Sequence, residues 1–132
     1  MITGGCLCRS IRYEIDELPS RVTHCHCKHC RGSAGAAFIT WAEFDPTKFR
    51  YIQGKPEAYE SRPKVTREFC PKCGTQLTYN HADEPGMVDV TVCSLDDPAI
   101  AKPEDHIWCD RKIPWVKLDD GLPIYKLGKW DE

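Results

Sequence analysis

Apolar and polar residues alternate with a period of two along most of this chain. Over 9–15, Ile11, Tyr13 and Ile15 fall on one side while Ser10, Arg12 and Glu14 fall on the other, the pattern of a half-buried strand. Similar short runs predict strands over 22–27, 37–44, 57–61, 65–69, 76–80 and 87–93. The last is the clearest, with Val88, Val90 and Val92 on one face. Leu18-Pro19-Ser20, Gly54-Lys55-Pro56 and Asp96-Asp97-Pro98 break the runs. Asp45-Pro46 is an N-cap followed by proline, enough for one helical turn. The small residues of 31–35 predict a loop or a short helical turn, and Pro103 limits helix after it. Ile107, Trp108, Ile113, Trp115, Val116 and Leu118, punctuated by prolines, predict short strands and loops closing over the core. Helical periodicity is nearly absent. The expectation is a mainly β fold of many short strands, one domain over 1–132.

Charge narrows the partners. Lysine and arginine total 18 against 20 acidic residues, a net charge of −2. That balance argues against a nucleic-acid or anionic-membrane surface, and no apolar run approaches a membrane span. Met-Ile-Thr-Gly-Gly-Cys6 lacks the basic and apolar regions of an export signal, so a cytoplasmic protein is expected.

Nine cysteines then become the central feature. Their number is odd, and seven of them fall into C-x-C, C-x-C-x-x-C and C-x-x-C spacings, which favours metal over disulfides. The densest stretch runs from His24 to Cys30 and holds three cysteines and three histidines. On an extended backbone Cys25 and Cys27 share a face, and a turn over Lys28 and His29 returns Cys30 beside them. Three convergent thiolates suit zinc with one position left for an exchangeable ligand. Spacing equally allows a closed structural site, with His29 or a distant residue completing the shell. Phe38 or Trp41 is placed to wall the site.

Cys70-Pro71-Lys72-Cys73-Gly74 has the form of a zinc knuckle, with a glycine free to take positive φ. Seven ligand-type cysteines divide naturally into four and three. Cys6 and Cys8 join Cys70 and Cys73 in one set, leaving Cys25, Cys27 and Cys30 as the other. Spacing also permits Cys27 and Cys30 to pair with Cys70 and Cys73, although that separation is longer than in common zinc ribbons. Cys93 and Cys109 stand alone and are expected to pack as small apolar residues. His81 and His106 are expected on the surface or in hydrogen bonds, and His26 and His29 beside a metal or facing solvent rather than as its ligands.

Taken together, Gly4-Gly5-Cys6-Leu7-Cys8, the run from Cys25 to Arg31 and the run from Arg67 to Leu77 resemble the glutathione-dependent formaldehyde-activating enzyme family (centromere protein V-like, Mss4-like zinc proteins). The stretches His106-Ile107-Trp108, Pro114-Trp115 and Asp120-Gly121-Leu122-Pro123 are similar to the family's tail. The resemblance implies an Mss4-like β-tent of short antiparallel strands with two zinc ions per chain. It implies a structural zinc on Cys6, Cys8, Cys70 and Cys73, and a catalytic zinc on Cys25, Cys27 and Cys30. The implied activity is that of a carbon–sulfur lyase joining glutathione to formaldehyde as S-hydroxymethylglutathione. Lys64, ahead of Arg67, departs from the common pattern and bears on substrate preference rather than on zinc. Arg12, Lys28 and Arg31 are the basic residues expected to hold the substrate's carboxylates. Two other functions fit the same cysteines: a binding module with both metals structural, and a metal-storage or redox-sensing protein.

Overall fold

The computed structural model of the chain describes residues 1–128. Its strands are β1 (Ile2–Gly5), β2 (Arg12–Ile15), β3 (Arg21–Cys25), β4 (Ile39–Phe44) and β5 (Phe49–Gln53). They continue as β6 (Glu57–Arg62), β7 (Val65–Phe69), β8 (Gln76–His81), β9 (Val88–Thr91) and β10 (Asp105–Ile107). The one α-helix among the described residues, α1 (Lys28–Ala34), lies between β3 and β4. One sheet has the order β1-β2-β5 and the other β10-β3-β4-β9-β8-β7-β6. The fold is mainly β, as the alternation predicts.

That alternation decides how the sheets meet. Val22, Ala42, Phe44, Val88 and Val90 turn one face of the large sheet onto Ile2, Tyr13 and Ile15 of the small one. Each of the valine, isoleucine and phenylalanine side chains contributes about 1.5–3 kcal/mol on burial. The buried Tyr13 hydroxyl lies 2.6 Å from Ser94 Oγ, so its polar end has a partner. The other face of the large sheet carries a second cluster of Cys25, Cys30, Ile39 and Trp41, with Tyr79, Ile107 and Trp108 at its margin. The large sheet is therefore covered on both sides, and the second side is where the chemistry collects.

Several elements depart from the sequence expectation. β10 adds to β3 in parallel, the exception among otherwise antiparallel pairings. β3 ends at Cys25 because the His26 amide donates to Ile107 O at 3.0 Å and Cys27 turns to begin α1. β9 ends at Thr91, where Ser94 Oγ donates to Thr91 O at 2.8 Å and tightens residues 92–94 into a 3-10 turn. That turn leaves Cys93 exposed rather than in the core, and Cys109 is half-buried. Cys6 and Cys8 sit in a turn after β1. Asp45 does cap a single turn, its Oδ1 accepting from the Thr47 amide at 2.9 Å with Pro46 first. No helix among the described residues is long and apolar enough to cross a membrane.

Candidate metal centres and the cavity between them

Cys6 and Cys8 come from the connection between β1 and β2, and Cys70 and Cys73 from the β7–β8 hairpin. Their four sulfurs lie within 4.8 Å of one another. Cys6 and Cys8 Sγ are 3.6 Å apart, and Cys8 and Cys70 Sγ 3.8 Å. Tetrahedral thiolates at 2.3 Å from zinc are separated by about 3.8 Å, so the spacing fits such an ion. Both turns aim donors at sulfur: the Ile11 amide at Cys6 (3.3 Å), and the Lys72 and Cys73 amides at Cys70 (3.4 and 3.5 Å). Gly74 makes this possible with φ +79°, a conformation most side chains resist. The Thr75 hydroxyl, 3.2 Å from Cys73 Sγ, holds that thiol down at about 5, with the Thr75 amide adding to the effect. Thr75 Oγ1 also accepts from the Leu7 amide at 3.0 Å, tying one turn to the other.

The second cluster forms where β3 runs into α1. Cys25 is the last residue of β3, Cys27 the N-cap of α1, and Cys30 lies in the first turn. The Cys30 amide donates to Cys27 Sγ at 3.2 Å, so one sulfur both caps the helix and faces its neighbours. Gly35 ends the helix in the left-handed region at φ +61°. The three sulfurs lie within 4.8 Å of one another, and no other histidine, cysteine or acid among the described residues joins them. The Cys25 and Cys30 thiols hydrogen-bond toward Cys27 and hold its pKa far below the thiol range, helped by the Cys30 amide and Arg67. The same contacts push the Cys25 thiol up. A cluster that already favours thiolate at one member fits a soft or borderline cation.

The cluster opens into a cavity of about 950 Å³ over the large sheet. Lys28, His29 and Arg31, beside the cysteines in sequence, line it together with Arg111, Glu43 and Asp89. Trp41 is in its wall, whereas Phe38 packs against His24 and His26 at 5.1 and 4.9 Å. Burial pushes the Asp89 carboxyl up to about 7, with Glu43 adding to the effect. Arg12 is elsewhere: its guanidinium pairs with Asp96 beside the small sheet, and it does not line the cavity.

The histidines form a chain of their own. His26 is fully buried, with Nε2 2.9 Å from His106 Nδ1, and His106 Nε2 is 2.7 Å from Asp120 Oδ2. His24 stacks on His106 with ring centroids 4.7 Å apart. Burial and the neighbouring histidine rings lower His26 to about 4, so it is neutral near pH 7. A neutral His106 that donates from Nε2 to Asp120 accepts at Nδ1 from His26 Nε2–H. His106 is thus buried and bonded, His81 half-buried, and His29 exposed on the cavity rim.

Arg67 is the residue whose position the sequence hid in plain view. Val65, Arg67 and Phe69 share one parity in β7, so the alternation itself places a guanidinium at an inward position. It is 3% exposed, with Nη2 3.8 Å from Cys30 Sγ.

A profile of the glutathione-dependent formaldehyde-activating enzyme family matches residues 1–111, a span containing all nine cysteines. Among solved structures, a Rhodobacter sphaeroides protein has a similar fold, with a TM-score of 0.61 and 19% identity. The likeness covers 93% of this chain and 98% of that one, and at this identity it speaks to the fold alone. Matched from its first residue through both cysteine clusters, the chain belongs to the glutathione-dependent formaldehyde-activating enzyme family.

Proposed function

We propose that the protein is a zinc-dependent carbon–sulfur lyase that interconverts glutathione and formaldehyde with S-hydroxymethylglutathione. The observation that carries this reading is the difference between the two clusters: four sulfurs close around one point, whereas three converge beside a cavity. Cys6, Cys8, Cys70 and Cys73 would hold a structural zinc that joins the small sheet to the β7–β8 hairpin. Cys25, Cys27 and Cys30 would hold the second ion. Zinc in a three-thiolate site supplies a fourth position at which an incoming thiol ionises and stays nucleophilic.

The chain's own residues then bind and orient. Lys28 and Arg31 line the cavity and would receive the two carboxylates of glutathione. Arg31 is held in position by its own Nε, which donates to His26 O at 3.2 Å. Trp41 and Tyr79, with ring centroids 5.9 Å apart, give the cavity an apolar wall suited to a small aldehyde. In the forward direction a carbon–sulfur bond forms at the carbonyl carbon, and the thiol's proton ends on the former carbonyl oxygen. The reverse direction breaks that bond and returns the proton to sulfur.

Exchange NMR of carbon-13 formaldehyde with glutathione tests the proposal. Wild-type protein should accelerate exchange between free aldehyde and adduct, and Cys27→Ser should abolish the acceleration while remaining folded. Exchange at the uncatalysed rate with zinc-replete wild type would overturn the enzymatic reading in favour of a binding module.

A further inference from the structure

Arg67 is a buried cation without a carboxylate. Its side chain meets Ser61 Oγ (3.3 Å), Ser33 Oγ (3.2 Å) and the face of Tyr79, whose ring centroid is 5.0 Å from the guanidinium carbon. All three partners are neutral. Among the described residues no acid forms an ion pair with it, and nearby Glu68 accepts instead from Tyr51 (2.9 Å) and Thr78 (2.6 Å). An isolated charge taken out of water is strongly disfavoured unless a partner compensates it. The partner within reach is Cys30 Sγ at 3.8 Å, and behind it the Cys25 and Cys27 sulfurs.

Charge counting gives this contact a meaning. Three thiolates around a divalent cation carry a net charge of −1, which a single guanidinium cancels. A fourth, anionic ligand then takes the assembly to −1 rather than −2. A neutral fourth ligand leaves Arg67 compensated either way and gains little from it. The hydrogen bonds that Arg67 donates to Ser33 and Ser61, one in α1 and one in β6, fix the guanidinium so that it cannot follow a departing ligand into solvent.

We propose that Arg67 is the fixed counter-ion of the Cys25–Cys27–Cys30 centre, a positioning residue that selects an anionic sulfur ligand over a neutral one. This rests on the reading of that cluster as a metal site, but not on turnover.

The test uses the full chain loaded with cobalt, comparing wild type with Arg67→Gln and Arg67→Lys. Two quantities are read: metal affinity of the three-cysteine centre by chelator competition, and the change in thiolate-to-cobalt absorption on adding glutathione or imidazole. Arg67→Gln should weaken metal affinity and glutathione binding by about tenfold or more, the scale of a lost charge-assisted contact, and leave imidazole binding within about threefold. Arg67→Lys should stay within about threefold of wild type in all three. Equal losses for glutathione and imidazole in Arg67→Gln would mark structural damage and overturn the proposal, as would no loss at all. If wild type takes metal but no glutathione, the lyase reading falls, while the metal-affinity comparison still decides the role of Arg67. If Arg67→Gln does not fold, Arg67→Met fills the same space without an amide to satisfy and carries the same comparison. If neither folds, Arg67→Lys decides alone: affinity near wild type upholds the role, and a tenfold loss overturns it.

Discussion

Asp89 illustrates how a single side chain is set by the face it occupies. It alternates with Val88 and Val90, which fill the core, and so turns to the cavity side of β9 opposite Glu43 of β4. In sequence it reads as an ordinary outward carboxylate, because nothing in a lone strand tells that its second face is also covered. Burial and Glu43 raise its pKa to about 7 from the ordinary 3.8. The folded state therefore binds a proton that the unfolded state has released, and this contribution to stability falls as pH rises from about 4 to about 7. Asp89→Asn should stabilise the protein, and the gain at pH 8.5 should exceed that at pH 5.5 by roughly 2 kcal/mol. Thermal or denaturant melts at the two pH values check this; an equal gain at both would show that Asp89 titrates normally. Arg67 is the complementary case, since its inward parity was readable but its partner, Cys30 on a helix far away in sequence, was not.

Among the elements, α1 and the two cysteine turns show what spacing does and does not convey. Ligand spacing favours grouping Cys6 and Cys8 with Cys70 and Cys73 but also permits Cys27 and Cys30 on the knuckle, and the folded chain brings the first four together. The helix itself was hard to foresee, because seven residues carry too little periodicity and Cys27 is an unusual N-cap. The two turns differ in what they tie. The four-cysteine set links segments more than sixty residues apart, while Cys25, Cys27 and Cys30 belong to one local segment. A closed zinc site in a small domain supplies folding free energy of order 10 kcal/mol, against a net stability of about 5–15 kcal/mol. Cys70→Ser should therefore yield unfolded or insoluble protein, whereas Cys27→Ser should stay folded, with one zinc fewer and no thiol binding. Circular dichroism melts with metal counts on both variants check the contrast; a folded Cys70→Ser beside an unfolded Cys27→Ser would reverse the two assignments.

Taken as one body, the chain is a large sheet with two occupied faces, and that arrangement organises both function and legibility. The face toward the small sheet follows directly from the apolar alternation of β2, β3, β4 and β9. The cavity face depends on contacts no local pattern encodes: the parallel docking of β10 on β3, the His26–His106–Asp120 chain, and the packing of α1 over Trp41 and Tyr79. These place a three-sulfur cluster at a cavity while the four-sulfur cluster closes at the junction of the two sheets. On the proposed function, one site is saturated by protein and the other is completed by a thiol. X-ray absorption at the zinc edge on protein carrying two zinc ions tests it most directly, because four and three cysteine ligands average three and a half sulfurs per zinc. That average is expected without thiol, with a rise to four when glutathione is added. Four sulfurs per zinc before glutathione, or no change after it, would rule out an open three-cysteine site.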